Sequence, residues 1–160
     1  GFALGHSGLA HARQIKGDIA GARSAMAKAR ELGEGLGAKD AAHLNALGLL
    51  IDGNGKAAYP AIRAHVAEYP RDVMVAQTCT SVFGLIGFSG RPGREAELLA
   101  YTTTLQPHYG NDWWFLSQHA FAVPATADLF AACYRDAAST IVDVCKWDVA
   151  TIHEIEAVAG

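Results

Sequence analysis

The sequence predicts an all-α fold of helical hairpins stacked one on the next, and three observations carry that expectation. Small and bulky apolar residues recur at helical spacing in consecutive segments, with Ala22, Ala58 and Ala96 in corresponding places 36 and 38 residues apart. Glycine, proline, asparagine and aspartate gather between those segments, where they punctuate helices rather than interrupt them. Strand signals are sparse.

Taken in order, the first helix is expected near residues 2–15, where Leu4 to Ile15 is apolar-periodic. A Gly17-Asp18 turn starts the second, near 18–33, with small Ala22 and Ala29 on either side of bulky Met26. The third is expected near 40–52, and Asn54 then caps a fourth near 56–69, in which Ala58, Ile62, Val66 and Tyr69 share a stripe. Pro60 falls in the first turns of that helix; its missing N–H would cost about 3 kcal/mol in a true interior, so a delayed start is expected there. Tyr69-Pro70-Arg71-Asp72 closes the fourth helix and caps a fifth, read as continuous over 72–88. After the Gly90-Arg91-Pro92-Gly93 turn, further helices are expected near 93–105, 111–122, 125–137 and 139–158. The β-branched run Thr140 to Val144 could read as a strand, but it has no evident pairing partner and is taken as helix.

Two helices per unit at this period describe a solenoid, in which each hairpin buries its apolar face only against its neighbours. On these residues the chain resembles the tetratricopeptide repeat superfamily. Ala10, Ala22, Met26 and Ala29 suit that pattern in the first unit, and Ala46, Ala58, Ile62 and Pro70 in the second. More narrowly it is similar to the tetratricopeptide repeat protein 38 family, through Phe2 to His6, Asp52 to Gln77, Val82 to Gly90, Arg94-Glu95 and Asp112 to Phe121. The likeness spans about residues 2–122 and contains no catalytic motif; Pro60 departs from it, and from Val123 onward it stops. It implies a right-handed α-α superhelix whose first helices line a concave face. Leu4, Ser7, His11 and Gln14 would face it in the first unit, Asp40, His43, Leu47 and Leu50 in the second, and Thr78, Ser81 and Leu85 in the third.

Composition narrows the function classes. At 160 residues, with 51% hydrophobic and 18% charged residues, the chain can bury a substantial core as one repeat domain. It begins at Gly1 in mid-pattern, which reads as a fragment of a longer repeat protein, with residues 123–160 as C-terminal helices whose packing the pattern leaves open. The net charge of −3 divides as +2 over residues 1–80 and −5 over residues 81–160, without a basic stripe, so no nucleic-acid partner is expected. No run of about 18 apolar residues and no secretory leader is visible, so no membrane partner is expected either. Cys79, Cys133 and Cys145 form no paired motif and read as reduced thiols of a cytoplasmic protein.

Motifs for chemistry are lacking. His6 and His11 are five residues apart and diverge on a helix, no HExxH occurs, His65 occupies the packing slot that Ala29 fills in the first unit, and His153-Glu154 has no partner at usable spacing. No metal site and no cofactor are therefore expected. Gly5-His6-Ser7-Gly8 is not a nucleophile elbow, no phosphate loop follows a strand, and no catalytic residue is assigned. The aromatic run Trp113, Trp114, Phe115 with Phe121 is the most unusual local feature; on one helix Trp114, Gln118 and Phe121 share a face.

The expected role is a scaffold that docks a peptide or partner protein on its concave face, through Ser7, His11, Gln14, Asp40, His43, Thr78, Ser81, Trp114 and Gln118, with Trp114 as apolar anchor. Two other readings accompany it. One is an enzyme or small-ligand protein with a pocket near Trp114, His119 and Cys133; the other is a structural segment that self-associates through its ends.

Overall fold

A computed structural model describes residues 2–81 and 83–134, the side chains as far as residue 123. Every regular element among the described residues is helical: α1 Ala3–Ile15, α2 Ile19–Glu31, α3 Ala38–Ile51, α4 Gly55–Glu68, α5 Val73–Ala76, α6 Arg94–Tyr109 and α7 Trp113–Tyr134. The chain divides into two compact units, and all that follows concerns the first, Gly1–Ala122.

The first two hairpins close with the same local chemistry. Gly17 and Gly53 adopt left-handed φ values of 81° and 80°, which a side chain would resist, and reverse the chain at the ends of α1 and α3. The amides behind them reach back to the helix, Asp18 N–H to Arg13 O at 2.9 Å and Asn54 N–H to Leu49 O at 2.9 Å. Each of those residues then caps the next helix, Asp18 accepting from Gly21 N–H at 2.9 Å and Asn54 from Ala57 N–H at 3.2 Å. Pro60 does not delay α4, which starts at Gly55; the ring lies on the exposed side of the helix.

Small residues let the helices nest. Ala10, Ala22, Ala29, Ala46 and Ala58 are buried against Met26, Leu47 and Ile62, none of which is more than 1% exposed. Between hairpins, α1 and α3 run in register, since Ser7 bonds His43 and Gln14 Nε2 donates to Leu50 O, each pair 36 residues apart.

Beyond Asp72 the expected pattern changes. The helix expected over 72–88 is four residues long; it continues as a 3-10 turn at Gln77–Cys79 and resumes only as a second such turn at Gly87–Ser89. Threonine hydroxyls compete with the helical ladder, Thr78 donating to Val75 O at 2.7 Å and Thr80 to Gln77 O at 3.2 Å, and Thr78 O accepts instead from Leu85 N–H at 2.9 Å. Gly84 permits this fold-back, because a Cβ there would stand 2.7 Å from Thr78 O.

The third small-residue slot is also displaced. Ala96 is exposed, whereas Leu98, Tyr101, Thr102 and Leu105 repeat the spacing of buried Ala22, Ala25, Met26 and Ala29. Leu98 is therefore the counterpart of Ala22 and Ala58. Tyr101 anchors α6 by donating to Ala76 O at 3.0 Å. The helices expected near 111–122 and 125–137 are one helix, α7, capped by Asp112, and the segment expected to be helical over 139–158 lies outside the described residues. In α7 Phe115 is fully buried and stacks on Tyr109 and His119, while Trp113 is 80% and Phe121 63% exposed. Phe121 thus does not share the half-buried setting of Trp114.

Candidate functional site

Two features stand apart from ordinary core packing, an aromatic-walled cleft and a buried polar chain. The cleft encloses about 950 Å³. His11, Gln14 and Ile15 of α1 form one side, with Leu50 of α3 and the first turns of α4 beside them; the irregular segment after α5 and the start of α7 complete it. The broken helix supplies its rim, where Phe83 and Phe88 are 79% and 74% exposed with ring centroids 5.9 Å apart. Trp114 lines the cleft while packing against Tyr109 at 5.4 Å.

Polar groups are distributed around this apolar wall. The one proton of the Thr80 hydroxyl is shared between Gln77 O at 3.2 Å and Gln118 Oε1 at 3.0 Å, which ties down the amide of a lining residue, and Ser81 Oγ accepts from Phe83 N–H at 3.2 Å. His11 is mostly buried at the cleft margin; its Nδ1 has no hydrogen-bond partner, and burial lowers its pKa from 6.5, which favours the neutral ring. Among the described residues Lys56 and Arg91 are the Lys/Arg residues that line the cleft, and no carboxylate lines it. Arg91 is held by Glu97 at 2.8 Å and lies over the Tyr59 ring, whose hydroxyl donates to the other oxygen of Glu97.

Of the nine residues expected to meet a partner, the structure brings six to this cleft: His11, Gln14, Thr78, Ser81, Trp114 and Gln118. Asp40 is half-buried on α3 and does not line it. Ser7 and His43 are 0% and 5% exposed, so neither can present a side chain to a docked protein. The residues that pattern reasoning missed are Lys56, Tyr59, Phe83, Phe88 and Arg91, because a continuous helix over 72–88 would have placed its two phenylalanines differently.

Ser7 and His43 belong to the second feature. Leu4 O, Ser7 Oγ, His43 and Asp72 form a continuous chain, with contacts of 2.8 Å from Ser7 to Leu4 O, 3.0 Å from Ser7 to His43 Nε2 and 2.7 Å from His43 Nδ1 to Asp72 Oδ2. His65 Nε2 reaches the same carboxylate oxygen at 2.8 Å. Asp72 Oδ1 caps α5 at Val75 N–H, 3.4 Å away. Burial by itself would raise the Asp72 pKa, but hydrogen bonds and charge interactions with His43 and then His65 outweigh it and hold the carboxyl at about 2. The order serine, histidine, aspartate resembles a hydrolytic relay, yet Ser7 is fully buried, donates to a backbone carbonyl and does not line the cleft. No substrate carbonyl could reach it, and the chain ties α1, α3, α4 and α5 together instead.

His119, considered for a pocket with Cys133, has its Nδ1 2.9 Å from Thr102 Oγ and its ring on Phe115, and burial lowers its pKa. Cys133 and Cys145 lie outside the residues whose side chains are described; Cys79 is a buried free thiol, and burial pushes its pKa up to about 11, which keeps it protonated at neutral pH. No helix among the described residues is long and apolar enough to cross a membrane. Compared with protein-family models, curated proteins and solved structures, the chain matches none of them.

Proposed function

We propose that the chain is a tetratricopeptide-like interaction module, a short α-α solenoid that docks an extended segment of a partner protein in the cleft between α1, α4, the segment 77–91 and α7. One observation carries the reading: bulky aromatic side chains stay exposed on the rim of a cleft lined by amide groups and Lys56. Burying Phe83 and Phe88 under a ligand would remove apolar surface from water at about 25 cal/mol per Å². Trp114 and Tyr59 offer flat, rotamer-poor walls of the kind that anchor interfaces. Gln14, Gln77, Ser81 and Gln118 retain hydrogen-bonding valences suited to a peptide backbone. Lys56 selects for a carboxylate, Arg91 being already paired with Glu97, so the partner segment carries large apolar residues next to an aspartate or glutamate.

Selection from a random peptide display library, followed by fluorescence anisotropy of the enriched sequences, tests this. Enriched peptides should combine aromatic or aliphatic residues with an acid, and Phe88→Ser or Trp114→Ala should weaken their binding roughly tenfold or more. Lys56→Glu should reverse the preference for acid. A library that yields nothing above an unrelated helical protein, or peptides indifferent to all three changes, would refute the docking role.

A further inference from the structure

We propose that His43, His65 and Asp72 form a binding site for one divalent transition-metal ion, with zinc the best match to the donors. The three donor atoms lie within 4.8 Å of one another: His43 Nδ1 from α3, His65 Nε2 from α4, and Asp72 Oδ2 from the cap of α5. The imidazoles are 5% and 3% exposed, and the two ring nitrogens converge on a single carboxylate oxygen. Two imidazoles and one carboxylate are a ligand set of zinc sites with three protein ligands, in which water takes the fourth position. Two nitrogen donors in three disfavour calcium and magnesium.

The hydrogen-bond chain behind His43 is compatible with an ion on that ring. Ser7 Oγ stands within hydrogen-bond distance of both His43 Nε2 and Leu4 O but carries a single proton. Without a metal, all the contacts from Leu4 O to Asp72 are hydrogen bonds only if His43 holds protons on both ring nitrogens. An ion on Nδ1 removes that requirement. A neutral His43 then donates from Nε2 to Ser7, Ser7 donates to the carbonyl of Leu4, and every partner in that chain is satisfied. An outer shell that fixes the tautomer of a ligating histidine in this way is the usual companion of a protein-bound metal. His65 Nδ1 has no protein partner with or without the ion, so it does not bear on the choice. Moving each ligand by a fraction of an ångström would open the 2.7 and 2.8 Å contacts to the spacing of ligands around one ion.

The test uses the full chain, dialysed against chelator and titrated with zinc chloride by calorimetry, with metal content then read by mass spectrometry. One zinc per chain and a raised melting temperature are expected, and cobalt chloride should give the visible absorption of a tetrahedral site. His65→Gln and Asp72→Asn, both near in size to the native residues, should each weaken zinc binding at least tenfold, while His108→Gln on the exposed face of α6 should leave it unchanged. A wild-type chain that takes up no stoichiometric zinc or cobalt while retaining its helical circular dichroism overturns the proposal, as does zinc uptake that survives both ligand changes.

Discussion

The first two hairpins and the segment between α5 and α6 are built from similarly apolar stretches, yet one is regular and the other is not. In α1 to α4 most positions that meet a neighbouring helix are alanines or flexible aliphatics, turns are closed by Gly17 and Gly53, and the helices run unbroken even where Ser7 donates to Leu4 O. In residues 77–91, Thr78, Thr80 and Ser81 bind backbone groups through their hydroxyls, and Gly84 lets the chain fold back on itself. Ser7, Thr102, Thr104 and Ser117 make the same hydroxyl-to-carbonyl bond inside unbroken helices, so what sets this segment apart is the fold-back at Gly84, which pairs Thr78 O with Leu85 N–H, and not a lack of apolar residues. The difference teaches where a helical array can acquire a binding wall: at the hairpin whose first helix is interrupted, so that its aromatics cannot all reach the core.

The comparison can be broken at the core of the regular half. Ile62→Ala, at a fully buried position, should cost about 4 kcal/mol in urea unfolding. A loss below about 1 kcal/mol would mean that the hairpins are loosely packed. The polar link between the halves has a pH signature in chain kept metal-free with chelator. Because the folded Asp72 carboxyl is held at about 2 against an unfolded value of 3.8, its contribution is complete above about pH 4 and is lost as pH falls toward 2. His11 and His119, whose pKa values burial lowers, add an earlier and shallower decline, since only the unfolded chain takes up their protons as pH drops through 6.5. Melting temperature against pH should show both phases, and Asp72→Asn should abolish the lower one.

Gly84→Ala sharpens the account of the irregular half. The new methyl group meets a backbone oxygen that cannot rotate away, and a loss of about 2 kcal/mol is expected by denaturant titration, with weaker peptide binding as the wall shifts. The smallest effect belongs to the rim. Phe83→Ser and Phe88→Ser should each change stability by about 0.5 kcal/mol or less, because both rings are mostly in solvent. If either destabilises the chain as much as Gly84→Ala does, the rim is part of the core and not a docking surface.

Much of this was legible in advance where the cause is local. Periodicity located α1 to α4 and α6, Asn54 and Asp72 are readable as caps, and Ala22 and Ala58 occupy equivalent buried slots. Ala96 was misplaced because the turn before α6 contains two left-handed glycines, Gly90 and Gly93, and delays the buried stripe until Leu98. Pro60 was expected to delay α4 and does not, since it faces solvent on that helix. The cluster of His43, His65 and Asp72 escaped a search for ligands spaced along one helix, because it is assembled by three different elements. Of the cleft residues, His11, Gln14, Thr78 and Ser81 follow from the hairpin pattern and Trp114 and Gln118 from the face of the aromatic helix, but the phenylalanine rim depends on a fold-back that periodicity cannot express.

The chain from Leu4 O through Ser7 and His43 to Asp72 also bears on how the molecule comes apart. Arrays of repeats ordinarily fray from their ends, each unit peeling off its neighbour at little cost to the rest. Here the hairpin of α1 and α2 is pegged by a hydroxyl to the imidazole that bonds Asp72 at the start of α5, so shedding α1 strips His43 of a partner inside the protein. Hydrogen exchange in α1 should therefore track global unfolding instead of running ahead of it.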